Sequence, residues 1–211
     1  MTIRKTAGQP DSYTGRIRKA TQKDVSALTW LLCAGFDNDP VINWFMRDDS
    51  RLAEGFAACF GEFVLQSFVP MNETYTTEDH LGVAVWGPPP GKMATSAEEW
   101  EQLKPLMRRI SGRRIGRFER LMHVTEEKHP DTPHYYLFNI AVHPSIQGRG
   151  VGSALIRQMT QRLDREKMPA YLESTKAINV SLYERHGFNV VEKLSFGDGA
   201  VPLWRMWRDP Q

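Results

Sequence analysis

The sequence predicts a mixed α/β fold, and three observations carry that prediction. Apolar runs of strand length alternate with segments of helical period, most clearly after residue 133. One helical segment of about 15 residues separates two of these runs, which is the spacing expected of parallel strands. The last two apolar runs follow one another directly and predict an antiparallel edge. We therefore expect a central mixed β-sheet of six to seven strands flanked by helices.

In the first half of the chain, strand-like and helix-like segments alternate less regularly. A strand is predicted at 16–21 and a helix at about 22–35, with Thr21 as its candidate cap. Asp39 precedes a proline, so the stretch FDNDP is predicted to be a turn. The remaining elements predicted here are helices at 41–46 and 51–69, strands in NETYTTE and HLGVAVWG, and helix across 97–127.

The second half gives a clearer order of elements. The predicted series is a strand in PHYYLFNIAV, a helix in VGSALIRQMTQRLDREK, a strand in PAYLES, a helix in INVSLYERHG, and strands in FNVVEKLSF and VPLWRMW. No linker composition interrupts residues 14–209, which are predicted to form a single domain after a loose tail at 1–13.

Composition and spacing argue against several classes of protein. The chain of 211 residues has a formal net charge of +2, no signal-peptide core and no apolar stretch judged long enough for a bilayer. Cys33 and Cys59 lack CxxC spacing and are expected to be core thiols in a cytoplasmic protein. The basic run at 104–120 interleaves arginines with apolar residues, which favours a solvated helix face over a nucleic-acid site. Six histidines without ligand spacing predict no metal.

The most informative stretch is IAVHPSIQGRGVGSALIRQM, residues 140–159. An apolar run ends near a proline, three glycines follow at alternate positions, and a helical pattern begins. The start of a helix presents unpaired N–H groups and the positive end of the dipole, and Arg149 adds a charge. The turn is therefore predicted to bind phosphate, although glycines after a strand also form plain tight turns.

Two common phosphate motifs fit this stretch poorly. A P-loop would need a Gly-Lys-Ser/Thr sequence, which is missing here. A dinucleotide fingerprint is closer, because Gly148, Gly150 and Ser153 nearly spell GxGxxG and Glu173 follows one helix and one strand later. Five residues separate the strand from the first glycine, however, and only about sixty residues remain, too few for the second half of that fold.

The stretch Gln147-Gly-Arg-Gly150-Val-Gly152 resembles the Q/R-x-x-G-x-G/A loop of the GNAT superfamily of acyl-CoA-dependent N-acetyltransferases. The preceding IAV-x-P and the later NVSLYERHGF are similar to that family in order and spacing, so the likeness covers about the C-terminal third. FDNDP, AVWGPPPG and AYLES are similar to the puromycin N-acetyltransferase type. The resemblance implies a GNAT-like fold in which a splayed parallel strand pair and this loop hold acetyl-CoA.

The resemblance also implies the coenzyme contacts. Main-chain groups of the strand would bind the pantetheine arm, with the Val142 N–H facing the thioester oxygen, and the loop amides would wrap the pyrophosphate. Asn179 would contact the pantetheine, and it is also a candidate helix N-cap. The implied cofactor-binding residues are Ile140, Ala141, Val142, Gln147, Gly148, Arg149, Gly150, Val151, Gly152, Ser153, Asn179 and Tyr183.

The resemblance also implies catalytic residues, with alternative roles open for each of them. Tyr183 corresponds to the family's tyrosine beside the coenzyme sulfur and would protonate the departing thiolate, unless it is only a packed aromatic. Family members with a glutamate on the strand before the loop carry it where this chain has Tyr136. Glu173 is the best replacement as general base, with a purely structural role equally open. His134 acting through water is the other candidate, although a histidine before a strand is usually a surface residue.

The expected function is direct transfer of an acetyl group from acetyl-CoA to a primary amine of a small molecule. Neither GxSxG nor a matched Cys–His pair indicates an acyl-enzyme. FDNDPVINWF either lines the acceptor pocket or forms a capped turn over the core. The alternatives are acetylation of a protein lysine or N-terminus, and a non-catalytic acyl-CoA-binding module. We expect no nucleic-acid or membrane partner, and a monomer or homodimer.

Overall fold

The computed structural model describes residues 13–90, 97–197, 199 and 201–211. The predicted tail at 1–13 lies outside these residues except for Tyr13. Within the described part of the chain, seven strands form one sheet in the order β1-β2-β3-β4-β5-β7-β6. The strands are β1 (Ile17–Lys19), β2 (Thr74–Thr77), β3 (Gly82–Gly87), β4 (Tyr135–Val142), β5 (Ala170–Ser174), β6 (Asn189–Phe196) and β7 (Val201–Arg208). The predicted sheet of six to seven strands is confirmed.

Helices flank this sheet, as the sequence predicted. They are α1 (Val25–Phe36), α2 (Pro40–Phe45), α3 (Leu52–Met71), α4 (Ala97–Ser111), α5 (Ile115–Glu127), α6 (Val151–Glu166) and α7 (Ala177–Glu184). The predicted helix across 97–127 is two helices, because Gly112 adopts a φ of +55° between them. Thr21 is the N-cap residue of a 3-10 turn, Gln22–Asp24, that leads into α1, and its N–H and hydroxyl both donate to the Asp24 carboxylate.

One pair of strands is parallel, and it separates soon after it forms. Tyr135 to Leu137 of β4 pair with Ala170 to Leu172 of β5, and every other pairing in the sheet is antiparallel. Beyond Leu137 the two strands share no further ladder, although both continue. Phe138 is an extra residue in β4, since Leu137 pairs with Trp86 and Asn139 with Val85 on the β3 side. Such a bulge bends a strand, and here it accompanies the point of separation.

The two faces of the sheet carry separate layers of helix. Along β3, Val83 and Val85 pack into a core formed with α1 to α5, while Ala84 and Trp86 pack into a second core with α6 and α7. This alternation is what the period of a strand requires when both faces are covered. The central strand β3 is therefore buried on both sides, whereas the edge strand β6 is mostly exposed.

The segment Leu52–Met71 is by length and composition apolar enough to cross a membrane, which the sequence analysis did not expect. Of this segment, 56% is buried inside the fold. Its middle part, Ala58–Leu65, has π-helical geometry and contributes Phe60, Phe63 and Leu65 to the core. The same test is passed by core helices, and the packing of α3 is of that kind.

The basic run at 104–120 lies on α4 and α5, and its apolar residues Met107, Ile110 and Phe118 are buried. Its arginines pair with acids of neighbouring helices and loops. Arg109 contacts Glu62 at 2.7 Å, and Arg114 contacts Asp48 at 2.6 Å. The geometry is that of a helix face held by surface ion pairs.

Replacing Gly116 by alanine should stabilise the protein. Gly116 is an exposed residue of α5, and a Cβ built there meets no atom within 4 Å. Alanine restricts the unfolded chain and favours helix, so the free energy of unfolding should rise by about 0.5 kcal/mol to 1 kcal/mol. Urea denaturation measures the change, with Gly112→Ala as the contrasting variant, because its φ of +55° should make that substitution destabilising. Equal effects of the two variants would contradict the prediction.

Candidate active site

The separation of β4 and β5 opens a cleft of about 640 Å³. The second half of β4, the glycine loop, the start of α6, the end of β5 and α7 all contribute to its walls. The predicted coenzyme residues that line it are Ile140, Ala141, Val142, Gln147, Gly148, Gly150, Val151, Gly152, Ser153, Asn179 and Tyr183. Arg149 is exposed and lies outside the lining. The structure thus brings together eleven residues that the sequence places in three separate segments.

The glycine loop forms a cradle at the start of α6. Gly148 and Gly150 have φ values of +75° and +81°, and Gly150 is the N-cap residue of the helix. The first N–H groups of α6 have no carbonyl partner within the helix, so they are available to an anion in the cleft. The Gln147 side chain donates to the Val142 carbonyl at 3.0 Å and ties the loop to β4. A pyrophosphate fits this arrangement, because left-handed glycines and free amides are what close approach to phosphate needs.

The edge of β4 that faces β5 has no strand partner from Phe138 onward. The opposite edge is paired with β3 throughout, up to the Gly82–Val142 pair. Backbone groups on the open edge need hydrogen-bond partners, which a ligand with amides along its length can supply. The pantetheine arm has that chemistry, and the open edge leads directly into the glycine loop.

Glu173 lies near the end of β5, with its carboxylate held by two tyrosines. Its Oε1 accepts from the Tyr171 hydroxyl at 2.9 Å, and its Oε2 accepts a short hydrogen bond from the Tyr136 hydroxyl. The Arg205 Nε in turn donates to the Tyr171 hydroxyl at 2.9 Å. Burial raises the pKa of the Glu173 carboxyl, and the hydrogen bonds from Tyr136 and Tyr171 offset only part of that rise. Tyr136, which stands where relatives are expected to carry glutamate, thus contacts the carboxylate that is the candidate replacement.

Tyr183 lies on the last full turn of α7, with its side chain in the cleft. The residue is 6% exposed, and its ring meets Phe188 edge-on at a centroid distance of 6.2 Å. Burial, with a smaller contribution from the Asp39 carboxylate, raises the pKa of the phenol well above its ordinary value. Among the described residues its hydroxyl has no hydrogen-bond partner. Tyr183 is thus both a packed aromatic and a protonated donor facing the cleft.

Asn179 faces the same cleft from one turn earlier on α7. The N-cap of this helix is Lys176, and the Asn179 N–H donates to the Lys176 carbonyl at 3.1 Å. The alternative interpretation of Asn179 as the N-cap is therefore wrong. The helix begins earlier than the sequence pattern indicated, because Ala177 already has helical geometry.

A second cavity of about 130 Å³ adjoins the cleft and was not found from the sequence. Both cavities are lined by Ile42, Phe138, Asn139, Glu173 and Thr175, so these residues mark where they meet. The far walls come from α2, α3 and α5. Such a pocket brings together residues distant in sequence, and no motif signals it.

The stretch FDNDPVINWF both caps a helix and contributes residues to the second cavity. The Asp39 carboxylate accepts from the N–H groups of Val41 and Ile42 and caps α2, and it also accepts from the Thr175 hydroxyl of the β5 end. Val41, Ile42 and Phe45 line the second cavity. Trp44 does not, and packs against Phe196 instead.

His134 is fully buried, which corrects the expectation of a surface residue. Its Nε2 lies 3.0 Å from the His129 Nε2, and its Nδ1 lies 2.6 Å from the Thr132 carbonyl oxygen. His134 lines neither cavity, whereas His129 lines the smaller one. The reason is packing: the rings of His129, Tyr171 and Trp207 surround His134.

Both cysteines are packed residues, and Cys59 contributes to the wall of the smaller cavity. Burial raises the pKa of the Cys33 thiol to about 11, and Cys59 lies deep in the core. In the described ranges, no group of three or more His, Cys, Asp or Glu side chains is arranged to hold a metal ion.

Comparison with known proteins shows which proteins this part of the chain is similar to. A model for the acetyltransferase (GNAT) domain matches residues 111–190, which include the glycine loop, α6, β5 and α7. The chain is 24% identical over 210 residues to an uncharacterised N-acetyltransferase of Schizosaccharomyces pombe, covering 92% of this chain and 83% of that protein.

Solved structures share the fold over almost the whole chain. A Corynebacterium glutamicum structure described as histone acetyltransferase HPA2 and related acetyltransferase has 24% identity and a TM-score of 0.69, covering 94% of this chain and 98% of that one. Arylalkylamine N-acetyltransferase 2 from Aedes aegypti has 14% identity and a TM-score of 0.65, with coverage of 94% and 100%. Residues 111–190 thus match the GNAT acetyltransferase domain, and this match, together with the shared fold, supports an acetyl-CoA-dependent acyltransferase.

Proposed function

We propose that this protein transfers an acetyl group directly from acetyl-CoA to a primary amine of a small molecule. The observation that carries the proposal is the position of Glu173, which lines both the coenzyme cleft and the smaller cavity. An amine bound in the smaller cavity would reach the cleft beside this carboxylate. A proton acceptor at the junction of two binding sites is what amine acetylation needs, because a free alkylamine with a pKa of about 10 is mostly protonated at neutral pH.

The bound coenzyme would supply an activated acetyl thioester, and the protein's own groups would position it and move protons. Glu173 would take the proton from the amine, helped by a carboxyl pKa that burial raises. The Val142 N–H would donate to the thioester oxygen, where a fixed backbone dipole needs no reorganisation. The Tyr183 hydroxyl would donate to the sulfur as it leaves. Burial raises the pKa of that phenol. Burial raises the pKa of a thiol in the same direction, as it does for Cys33, so the departing thiolate becomes a stronger proton acceptor as well.

The size of the acceptor cavity supports a small molecule over a protein side chain. The cavity has a volume of about 130 Å³ between α2, α3 and α5, which is room for one small group and not for a length of peptide backbone. The likeness of FDNDP and AVWGPPPG to puromycin N-acetyltransferases points the same way, and the Aedes aegypti relative is named for arylalkylamines.

Thiol release from acetyl-CoA in the presence of a panel of amines tests the proposal. We expect turnover with at least one small primary amine, and none with matched alcohols. Calorimetric titration of coenzyme A is the companion measurement. Firm binding of the coenzyme with no turnover on any amine would overturn the proposal and favour an acyl-CoA-binding module.

The coenzyme site has its own test in Gly150→Val. The added side chain crowds the loop where φ is +81°, so the affinity for acetyl-CoA should fall at least 10-fold, about 1.4 kcal/mol. Gly199→Val is the matched control, because Gly199 also has a left-handed φ, +92°, but lies outside the cleft. It should lose stability and keep its affinity. Unchanged affinity in folded Gly150→Val would contradict the phosphate assignment, and tighter binding of NADH than of acetyl-CoA would favour a dinucleotide.

A further inference from the structure

The smaller cavity limits the shape of the acceptor. Its volume of about 130 Å³ is close to that of an engineered core cavity of roughly 150 Å³ that accepts benzene. A single ring or a short branched alkyl group fills such a space, while a long flexible chain does not fit inside it. The body of the acceptor is therefore compact.

The far wall of the cavity is aromatic and already packed. Phe118 stacks on Phe45 with ring centroids 4.6 Å apart, and Phe63 meets Phe118 edge-on at 5.5 Å. Phe60 and Leu121 complete this side. Rings held in these arrangements offer faces and edges to another ring, and such contacts contribute beyond the burial of area. Among the described residues, the lining contains no lysine and no arginine.

The polar groups of the same cavity suit a cation. Glu126 lies on the last turn of α5 and is partly buried, and its side chain forms no ion pair or hydrogen bond with the described residues. The Asn139 Oδ1 is buried without a partner, which costs free energy unless a donor from a ligand reaches it. Glu173 adds a second carboxylate at the junction with the cleft. Two carboxylates and an unsatisfied carbonyl oxygen are the complement of an ammonium group.

We propose that the acceptor is a monoamine with one compact apolar body of about the size of a phenyl ring. Its ring would lie against Phe60, Phe63 and Phe118, and its ammonium group would lie among Glu126, Asn139 and Glu173. This inference rests on the proposed acetylation of a small-molecule amine. A polyamine or guanidine would place a second charge against the aromatic wall, where burying it unpaired is costly.

The first test compares acceptors. With the full-length protein and saturating acetyl-CoA, we expect kcat/KM for 2-phenylethylamine to exceed that for agmatine, spermidine or a lysine-containing peptide at least 10-fold. Titration of 2-phenylethylamine into protein saturated with coenzyme A measures binding without turnover, and 2-phenylethanol should bind at least 10-fold more weakly. Equal or better kcat/KM with the polycations or the peptide would overturn the inference and leave the proposed function standing. Absence of 2-phenylethylamine binding would overturn it as well.

A matched pair of variants tests the residue that sequence reasoning missed. Glu126→Gln should raise KM and Kd for 2-phenylethylamine about 5-fold to 10-fold and leave KM for acetyl-CoA unchanged, because it removes a charge from the acceptor cavity alone. Glu127→Gln removes the neighbouring charge, which is exposed and outside the cavity, and should change neither constant. Identical behaviour of the two variants would remove Glu126 from the acceptor site. Loss of thiol release with every amine, with coenzyme binding retained, would instead count against the proposed function.

Discussion

Glu173→Gln should lower turnover at neutral pH by about 10²-fold or more, because the variant keeps the shape of the side chain but cannot accept a proton. The loss should shrink as the pH rises, since a larger fraction of the amine is then already neutral. The measurement is the pH dependence of kcat/KM with one competent amine. A profile parallel to that of the wild type, with a lower midpoint of thermal unfolding, would show that Glu173 is structural.

Tyr136→Phe is the control for this assignment. It removes one hydrogen bond that stabilises the Glu173 carboxylate and lowers its pKa, while the base itself stays in place. The pKa of Glu173 should therefore rise further, and the acidic limb of the pH profile should move to higher pH with activity retained above it. A shift in the opposite direction would contradict the hydrogen-bonding arrangement described here.

Tyr183→Phe should lower kcat by about 10²-fold and leave the affinity for acetyl-CoA unchanged, since only the proton donor is lost and the ring keeps its contact with Phe188. Burial keeps the pKa of this phenol above its ordinary value, so the wild-type profile should show no alkaline limb from Tyr183 below about pH 10. Steady-state kinetics and a coenzyme titration separate the two effects.

Tyr135→Phe is the matched control for the loss of a buried phenol outside the cleft. Tyr135 accepts a hydrogen bond from the Arg162 Nη2 at 2.7 Å, so this variant should lose stability and keep its kcat. If the two variants lower kcat equally, or if Tyr183→Phe keeps full kcat, Tyr183 is only a packed aromatic.

The order of the elements was predictable because local signals fix it. The strand in PHYYLFNIAV, the helix that follows Gly150 and the strand in PAYLES each carry their own period, and together they require a parallel crossover. The glycine loop was also predictable, because two of its positions adopt a left-handed φ that residues other than glycine rarely adopt. The break at Gly112 was not recognised, because apolar residues of helical period continue on both sides of it.

The acceptor side was not predictable in the same way. Its cavity joins residues of α2, α3, α5, β4 and β5, which meet only through tertiary packing. The contact between Tyr136 and Glu173 depends on the register of β4 and β5, which pairs Tyr136 with Tyr171. The residue pattern of a single strand does not predict that register. His134 was misplaced because its burial depends on His129, which reaches it from the end of α5.

Within the sheet, β1 to β4 and β5 to β7 are joined by only three residue pairs, those of the parallel β4–β5 seam, while the cores on both faces pack across it. Each half, β1 to β4 and β5 to β7, is otherwise a continuous antiparallel ladder. An acyl donor lying along the open edge of β4 and against α7 would contact both sides of the cleft and so stabilise the folded protein. At a hundredfold excess over Kd, such a ligand adds about 2.7 kcal/mol to the free energy of unfolding. That contribution is lost as the coenzyme leaves, so the protein should unfold at a lower temperature without the coenzyme than with it.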